Sequence, residues 1–246
     1  MTFRNRIPLL VVALCLALAG PAAATTITIN FATDVGAPGP TSSTIIHGSG
    51  LQVTGYYFDD ITEDWTSSDV NLYIRNETND HGLGVCSPAD RGQGGAPAGQ
   101  CPGPSGGGDW NELDSEDAFE LIQLSLPSGW EWVSVQVSSL DTNGGQGSEY
   151  GRLWANDSAD PAAFETSLWT FQGGVDPIEG IFLIPGSSAS ANHLVFQPFD
   201  WQNGTNFNND FLVYQVTIQQ NEAPEPTGIG ILGIGALAIL RRRRRS

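Results

Sequence analysis

The chain has 246 residues, enough for one sizeable domain, and a lopsided charge: 27 acidic residues against ten basic ones, all arginine. Every acid lies between Asp34 and Glu225, where only Arg75, Arg91 and Arg152 oppose them, three cations to 27 anions, a balance of −24. Such a surface repels phosphate backbones and anionic lipid, which excludes nucleic-acid binding and suits solubility, divalent cations or a hydrated matrix.

From the start of the chain, Arg4 and Arg6 precede an apolar run, Ile7 to Ala19, that is too short to span a membrane. Ala22, Ala23 and Ala24 then offer the small residues of a cleavage site. Charge, apolar core and small-residue exit, in that order, predict a signal peptide over residues 1–24.

Residues 25–220 are expected to form one domain. Short apolar runs of period two recur, broken by Gly, Pro, Asn, Asp and Ser, and each predicts a strand. They are Thr25 to Phe31, Leu51 to Phe58, Val70 to Arg75, Phe119 to Leu126, Val133 to Leu140, Tyr150 to Trp154, Leu168 to Phe171, Ile181 to Ile184, Leu194 to Phe196 and Phe211 to Ile218. Ten short strands with frequent turns indicate an all-β fold, an antiparallel β-sandwich of jelly-roll type. Ser115 to Leu124 also reads as a helix, because Ser115 could cap it and acids crowd its first turn.

Between these strands lie the candidate sites. Cys86 and Cys101 flank a Gly/Pro-rich stretch and, in an exported chain, are expected to form a disulfide; two free thiols are the alternative. Two cysteines without paired histidines fall short of a zinc set. Asp109, Glu112 and Asp114, and farther on Asp141, Asn143 and Glu149, offer clustered oxygens that flexible loops could wrap around Ca2+, although neither set has EF-hand spacing. The bland reading of both is solvated loops on an acidic protein. Of the seven tryptophans, most are expected to fill the core, while Trp130 and Trp132 share a face of a regular strand and are the candidate exposed pair for stacking sugar rings.

Catalytic signals are sparse. There are three histidines and no lysine, and no nucleophile elbow, zincin helix or phosphate loop. Paired carboxylates could cleave a glycoside, but nothing singles out a pair.

The last stretch, 221–246, mirrors the first. Asn221 to Thr227 is polar and carries Pro224, Glu225 and Pro226. Gly228 to Leu240 is uncharged, and Arg241, Arg242, Arg243, Arg244 and Arg245 follow without interruption. As a helix the apolar segment would be about 20 Å long against a hydrocarbon core of about 30 Å, so it predicts a short transmembrane helix with its arginines left in the cytoplasm.

Pro-Glu-Pro, a brief apolar segment and an arginine cluster together resemble the PEP-CTERM sorting domain. The resemblance implies processing by exosortase, a membrane-embedded transpeptidase of Gram-negative bacteria, and association with extracellular polysaccharide and biofilm. A looser resemblance to other PEP-CTERM surface proteins runs through Gly82-Leu83-Gly84-Val85 and Asn111-Glu112-Leu113-Asp114, and implies that Asn111, Glu112 and Asp114 sit near the Gly82 turn. The expected function is thus a non-enzymatic cell-surface or matrix protein, exported through the secretion machinery and held transiently in the inner membrane before exosortase processing. A calcium-assisted carbohydrate-binding module is the alternative, and a secreted glycan hydrolase the third reading.

Overall fold

The computed structural model describes residues 24–77, 81–94, 96–102, 112–113, 119–140, 142–143, 147–173, 180–198 and 209–221. By its contacts the chain divides into a unit of Thr26–Gln219, which carries the strands, and another of Met1–Thr25 with Gln220–Ser246. No helix among the described residues is long and apolar enough to cross a membrane.

The strands in chain order are β1 (Thr26–Asn30), β2 (Gly39–Pro40), β3 (Thr44–Ile46), β4 (Gln52–Asp59), β5 (Asp64–Thr66), β6 (Asn71–Asn76), β7 (His81–Cys86), β8 (Glu120–Ser125), β9 (Trp130–Ser138), β10 (Thr142–Asn143), β11 (Gly147–Ser148), β12 (Tyr150–Asn156), β13 (Thr166–Gln172), β14 (Ile181–Leu183), β15 (His193–Pro198) and β16 (Leu212–Gln220). Two antiparallel sheets take all but β10 and β11. The first has the order β14-β9-β16-β7-β6-β2, with β1 also on β16. The second has the order β13-β12-β15-β8-β4-β3, with β5 also on β4. In the second sheet β3 and β5 share one edge of β4, the former opposite Gln52 to Thr54 and the latter opposite Tyr57 to Asp59.

Alternation supplies the core. Ile29, Leu72, Ile74, Leu83, Val85, Val213, Val216 and Ile218 from the first sheet meet Val53, Ile122, Leu124, Leu153, Leu194 and Phe196 from the second in one buried cluster. Cross-strand partners such as Val53, Leu124 and Leu194 lie in register, so each row points to the same side. Two glycines permit close approaches. A Cβ on Gly151 would stand 2.5 Å from a ring carbon of Phe211, and one on Gly82, at φ +144, 2.8 Å from the carbonyl oxygen of Val213.

All ten predicted runs contain a strand. The described part of the Ser115–Leu124 segment is strand β8, not helix, because its alternate residues Ile122 and Leu124 are needed in the core. Strands β2, β3, β5, β10 and β11 have no sequence signal, because two or three residues carry no period. β7 has none because its glycine-rich sequence lacks β propensity. Pairing with β6 over all six of its residues holds it extended.

Candidate functional site

The aromatic pair expected at the surface is not there. Trp132 is 1% exposed within the core, and Trp130 is half-buried against that core. The indole Nε1 of Trp132 donates to the Ala191 carbonyl at 2.7 Å and its backbone N–H to Ala189 at 2.8 Å. A regular strand would send Trp132 and Val135 to opposite faces. Both are in the core, three residues apart, so the inward set of β9 changes parity between them.

Cys86 and Cys101 are joined by a disulfide, their Cα atoms 6.1 Å apart. Inside the loop it closes, buried Asp90 accepts hydrogen bonds from the Ser87 backbone N–H and hydroxyl. These local contacts order a stretch whose sequence has little means of ordering itself.

Of the expected calcium ligands, Asp109, Asp114 and Asp141 lie outside the described residues. Glu112 is 1% exposed, its carboxylate paired with the Arg75 guanidinium and accepting a 3.0 Å hydrogen bond from the Ser139 hydroxyl. Arg75 stands opposite Gly82 on the neighbouring strand, and the Glu112 carbonyl accepts the Val85 N–H at 3.3 Å. Glu149 is 3% exposed, and its carbonyl accepts the Gly173 N–H at 2.9 Å. Asn143 belongs to β10, which pairs with β11 where the sequence suggests an irregular acidic loop. Among the described residues no three His, Cys, Asp or Glu side chains are grouped to hold a metal ion. The sorting residues Pro224, Glu225 and Pro226 and the arginines 241–245 also lie outside the described residues.

A mixed polar and aromatic face on the outside of the second sheet has no counterpart among the sequence motifs. Because Leu153, Phe196 and Ile122 point inward, their neighbours point out. Register then aligns Thr54, Gln123, Val195, Trp154 and Ser167 in one row across five strands. Beside it, Tyr56 pairs with Leu121, and Arg152 with both Gln197 and Thr170. The Arg152 guanidinium sits 5.7 Å from the centre of the Trp154 ring, within cation–π range. The Tyr56 hydroxyl donates to Gln123 Oε1 at 3.3 Å, and Gln123 Nε2 donates to the Ala159 carbonyl at 3.3 Å.

One end of this face is walled by the loop between β12 and β13. Its Phe164 ring lies 5.3 Å from that of Trp154. Phe164 has φ +42, the left-handed region where a bulky residue is strained. The Glu165 carboxylate holds the loop by accepting from the backbone of Asp157 at 2.8 Å and Ser158 at 3.3 Å, while Glu165 N–H donates to Asn156 Oδ1 at 2.9 Å.

Burial sets the protonation behaviour here. It raises the Tyr56 hydroxyl above its usual range and lowers the Arg152 guanidinium from its own. It also lowers His193, against the opposing pull of Asp157 and Glu165. His193 Nδ1 and the Ser125 hydroxyl share a 2.9 Å hydrogen bond. Val195, Gln123 and Thr54 of this row are buried, and both ends of the Gln123 amide are engaged, so the half-buried Arg152, Trp154 and Tyr56 are what the face can offer a ligand.

Neither a protein-family model nor a curated protein matches the chain. Among solved structures it is similar to the K1 cleaved adhesin domain of Lys-gingipain from Porphyromonas gingivalis W83, at 15% identity and TM-score 0.34, over 80% of this chain and 95% of that one. It is also similar to the Arthrobacter globiformis T6 isomalto-dextranase complexed with panose, at 11% identity and TM-score 0.28. That match covers 81% of this chain but 33% of the other, so the chain spans a third of that enzyme's length. Similarity this low bears on neither ligand nor activity.

Proposed function

We propose that the chain is an exported, non-enzymatic surface or matrix protein, delivered by an exosortase-type system and associated with extracellular polysaccharide. The observation that carries this reading is the succession Pro224-Glu225-Pro226, apolar Gly228 to Leu240 and Arg241 to Arg245. As a helix this segment would fall some 10 Å short of the hydrocarbon core, which would make a poor permanent anchor and a suitable transient substrate. The Cys86–Cys101 disulfide supports an oxidising destination. The balance of −24 over the acidic stretch favours a hydrated matrix over an anionic lipid surface. The test is the mass of the chain recovered from an exosortase-bearing host and from the same host lacking the enzyme. Loss of the arginine cluster only where the enzyme is present is expected; an intact cluster on the delivered protein in both hosts refutes the sorting claim.

A second reading is that the domain binds a glycan, and it rests on the outer face of the second sheet. There the half-buried Trp154 ring, with the Arg152 guanidinium beside it and Tyr56 nearby, supplies a ring and hydrogen-bonding groups for a sugar. A glycan array with wild type and Arg152→Ala is expected to show binding lost in the variant. Binding equal in both, or none in either, removes this face from consideration.

A further inference from the structure

On the outer face of the second sheet, Trp154, Val195 and Gln123 lie side by side on β12, β15 and β8. Val195 stands apart from the cluster between the sheets, yet it is 0% exposed, and Gln123 is 4% exposed. What crosses above them is the loop 157–165, between β12 and β13. Its Ala159 carbonyl accepts from Gln123 Nε2 at one end of the trio, and its Phe164 ring meets Trp154 at the other. Those ends are two strand spacings apart, about 10 Å. A segment that touches both passes over Val195.

The loop is a strap with a single plug. In Asp-Ser-Ala-Asp-Pro-Ala-Ala-Phe-Glu only Phe164 is large and apolar. The tip is a turn ordered by its own bonds: Asp160 Oδ1 accepts from Ala162 N–H at 2.9 Å, and the Asp160 carbonyl from Ala163 N–H at 3.2 Å. Glu165 closes the base, one carboxylate oxygen accepting from Asp157 N–H and the other from Ser158 N–H. Against these contacts stand costs. Phe164 has φ +42, strained for a bulky residue. Trp154 Nε1 and Asn156 Nδ2 are buried and have no hydrogen-bond partner among the described residues, which favours any state that supplies one. Backbone strain held in place by surrounding contacts marks clamps and switches.

We infer that residues 157–165 are a self-inhibitory strap. Closed, Phe164 takes the ring contact with Trp154 that a sugar would make; open, Trp154, Val195 and Gln123 are uncovered beside Arg152 and Tyr56. The inference rests on the glycan-binding reading of this face and adds its regulation. A protein that binds only when open loses apparent affinity in proportion to the open fraction. An open state of roughly 0.1–10% leaves about ten- to a thousandfold to be gained by variants that release the strap.

The test reads strap and ligand separately, on the full chain in mild detergent. Amide exchange is followed at Asp157 and Ser158, the two donors to Glu165. Acrylamide quenching of Trp154 is taken as the difference from Trp154→Phe. Asp157 and Ser158 are expected to exchange by local opening, well ahead of the amides of β12 and β15. Phe164→Gly removes the plug and is expected to raise quenching. Glu165→Gln gives up one of two acceptors and is expected to raise quenching and exchange together. On an array of immobilised oligosaccharides both variants are expected to bind the sugars that wild type binds, at least about tenfold more tightly. Asp157 and Ser158 amides that exchange only with the strands, or quenching unchanged in both variants, overturn the strap and leave the glycan reading to the Arg152→Ala comparison. A strap that opens while no protein binds any sugar refutes the glycan reading and the inhibitory role with it. A strap that opens with binding equal to wild type overturns the inhibitory role alone. Should Phe164→Gly fail to fold, Glu165→Gln decides.

Discussion

At the scale of single residues, the buried pair of Arg75 and Glu112 is a costly contact to break. Their side chains are 7% and 1% exposed, and the Ser139 hydroxyl donates to Glu112 as well. Two charges withdrawn from water need each other, since either left alone in the interior carries its full desolvation cost. Glu77, 3.9 Å from Arg75 but 39% exposed, is too well solvated to replace Glu112. Glu112→Gln is therefore expected to destabilise the domain by roughly 3–5 kcal/mol, and Arg75→Met with Glu112→Leu by much less. Urea denaturation of wild type, single and double variants checks this. A double variant no more stable than the single one would mean the pair contributes through shape and not through charge. Among 27 acids, composition and spacing do not distinguish Glu112 from a solvated neighbour or a calcium ligand; the looser resemblance alone sets it near the Gly82 turn. Only the apposition of Val85 and Arg75 to residue 112 places it in the interior, and that is a tertiary fact.

Whole elements are more legible, because a period of two over several residues marks a strand before its partners are known. Thr26–Asn30 and Leu212–Gln220 are recognisable apart and are neighbours in the sheet. Trp132 shows where the period fails as a guide: the change of parity in β9 has no sequence mark, so the tryptophan lies inside where alternation from Val135 would put it out. The disulfide is legible from arithmetic once a signal peptide is expected to be removed and to leave two cysteines, and its energetic role belongs to the loop it closes. With the partners separated by 15 positions in sequence, the chain-entropy model assigns it about 3 kcal/mol. Cys86→Ala with Cys101→Ala is expected to cost that amount in equilibrium unfolding. The measurement also separates two origins, since Ser87 and Asp90 fasten one end of the loop independently. A loss well under about 1 kcal/mol would show that those local bonds already restrict the loop.

For the whole molecule the deciding quantity is charge. The acidic stretch carries 27 carboxylates against three arginines; Arg75 pairs with Glu112, and Arg91 stands 3.9 Å from Asp69. With attraction confined to so few places, repulsion among surface acids is the dominant long-range term, and it opposes the compact state more than the expanded one. Salt shortens its reach, from a Debye length of about 30 Å at 0.01 M to about 8 Å at 0.15 M. The Arg75–Glu112 pair, buried from solvent, is screened much less. Raising monovalent salt across that range is therefore expected to raise the melting temperature by several degrees, where a protein held by exposed ion pairs would lose stability. Differential scanning calorimetry at fixed pH reads the sign directly. A melting temperature that falls with sodium chloride would mean that attraction outweighs repulsion at the surface, and that the acids are arranged in pairs with cations the sequence barely possesses. A rise produced by millimolar calcium but not by equal ionic strength of sodium would point instead to a specific cation among those carboxylates.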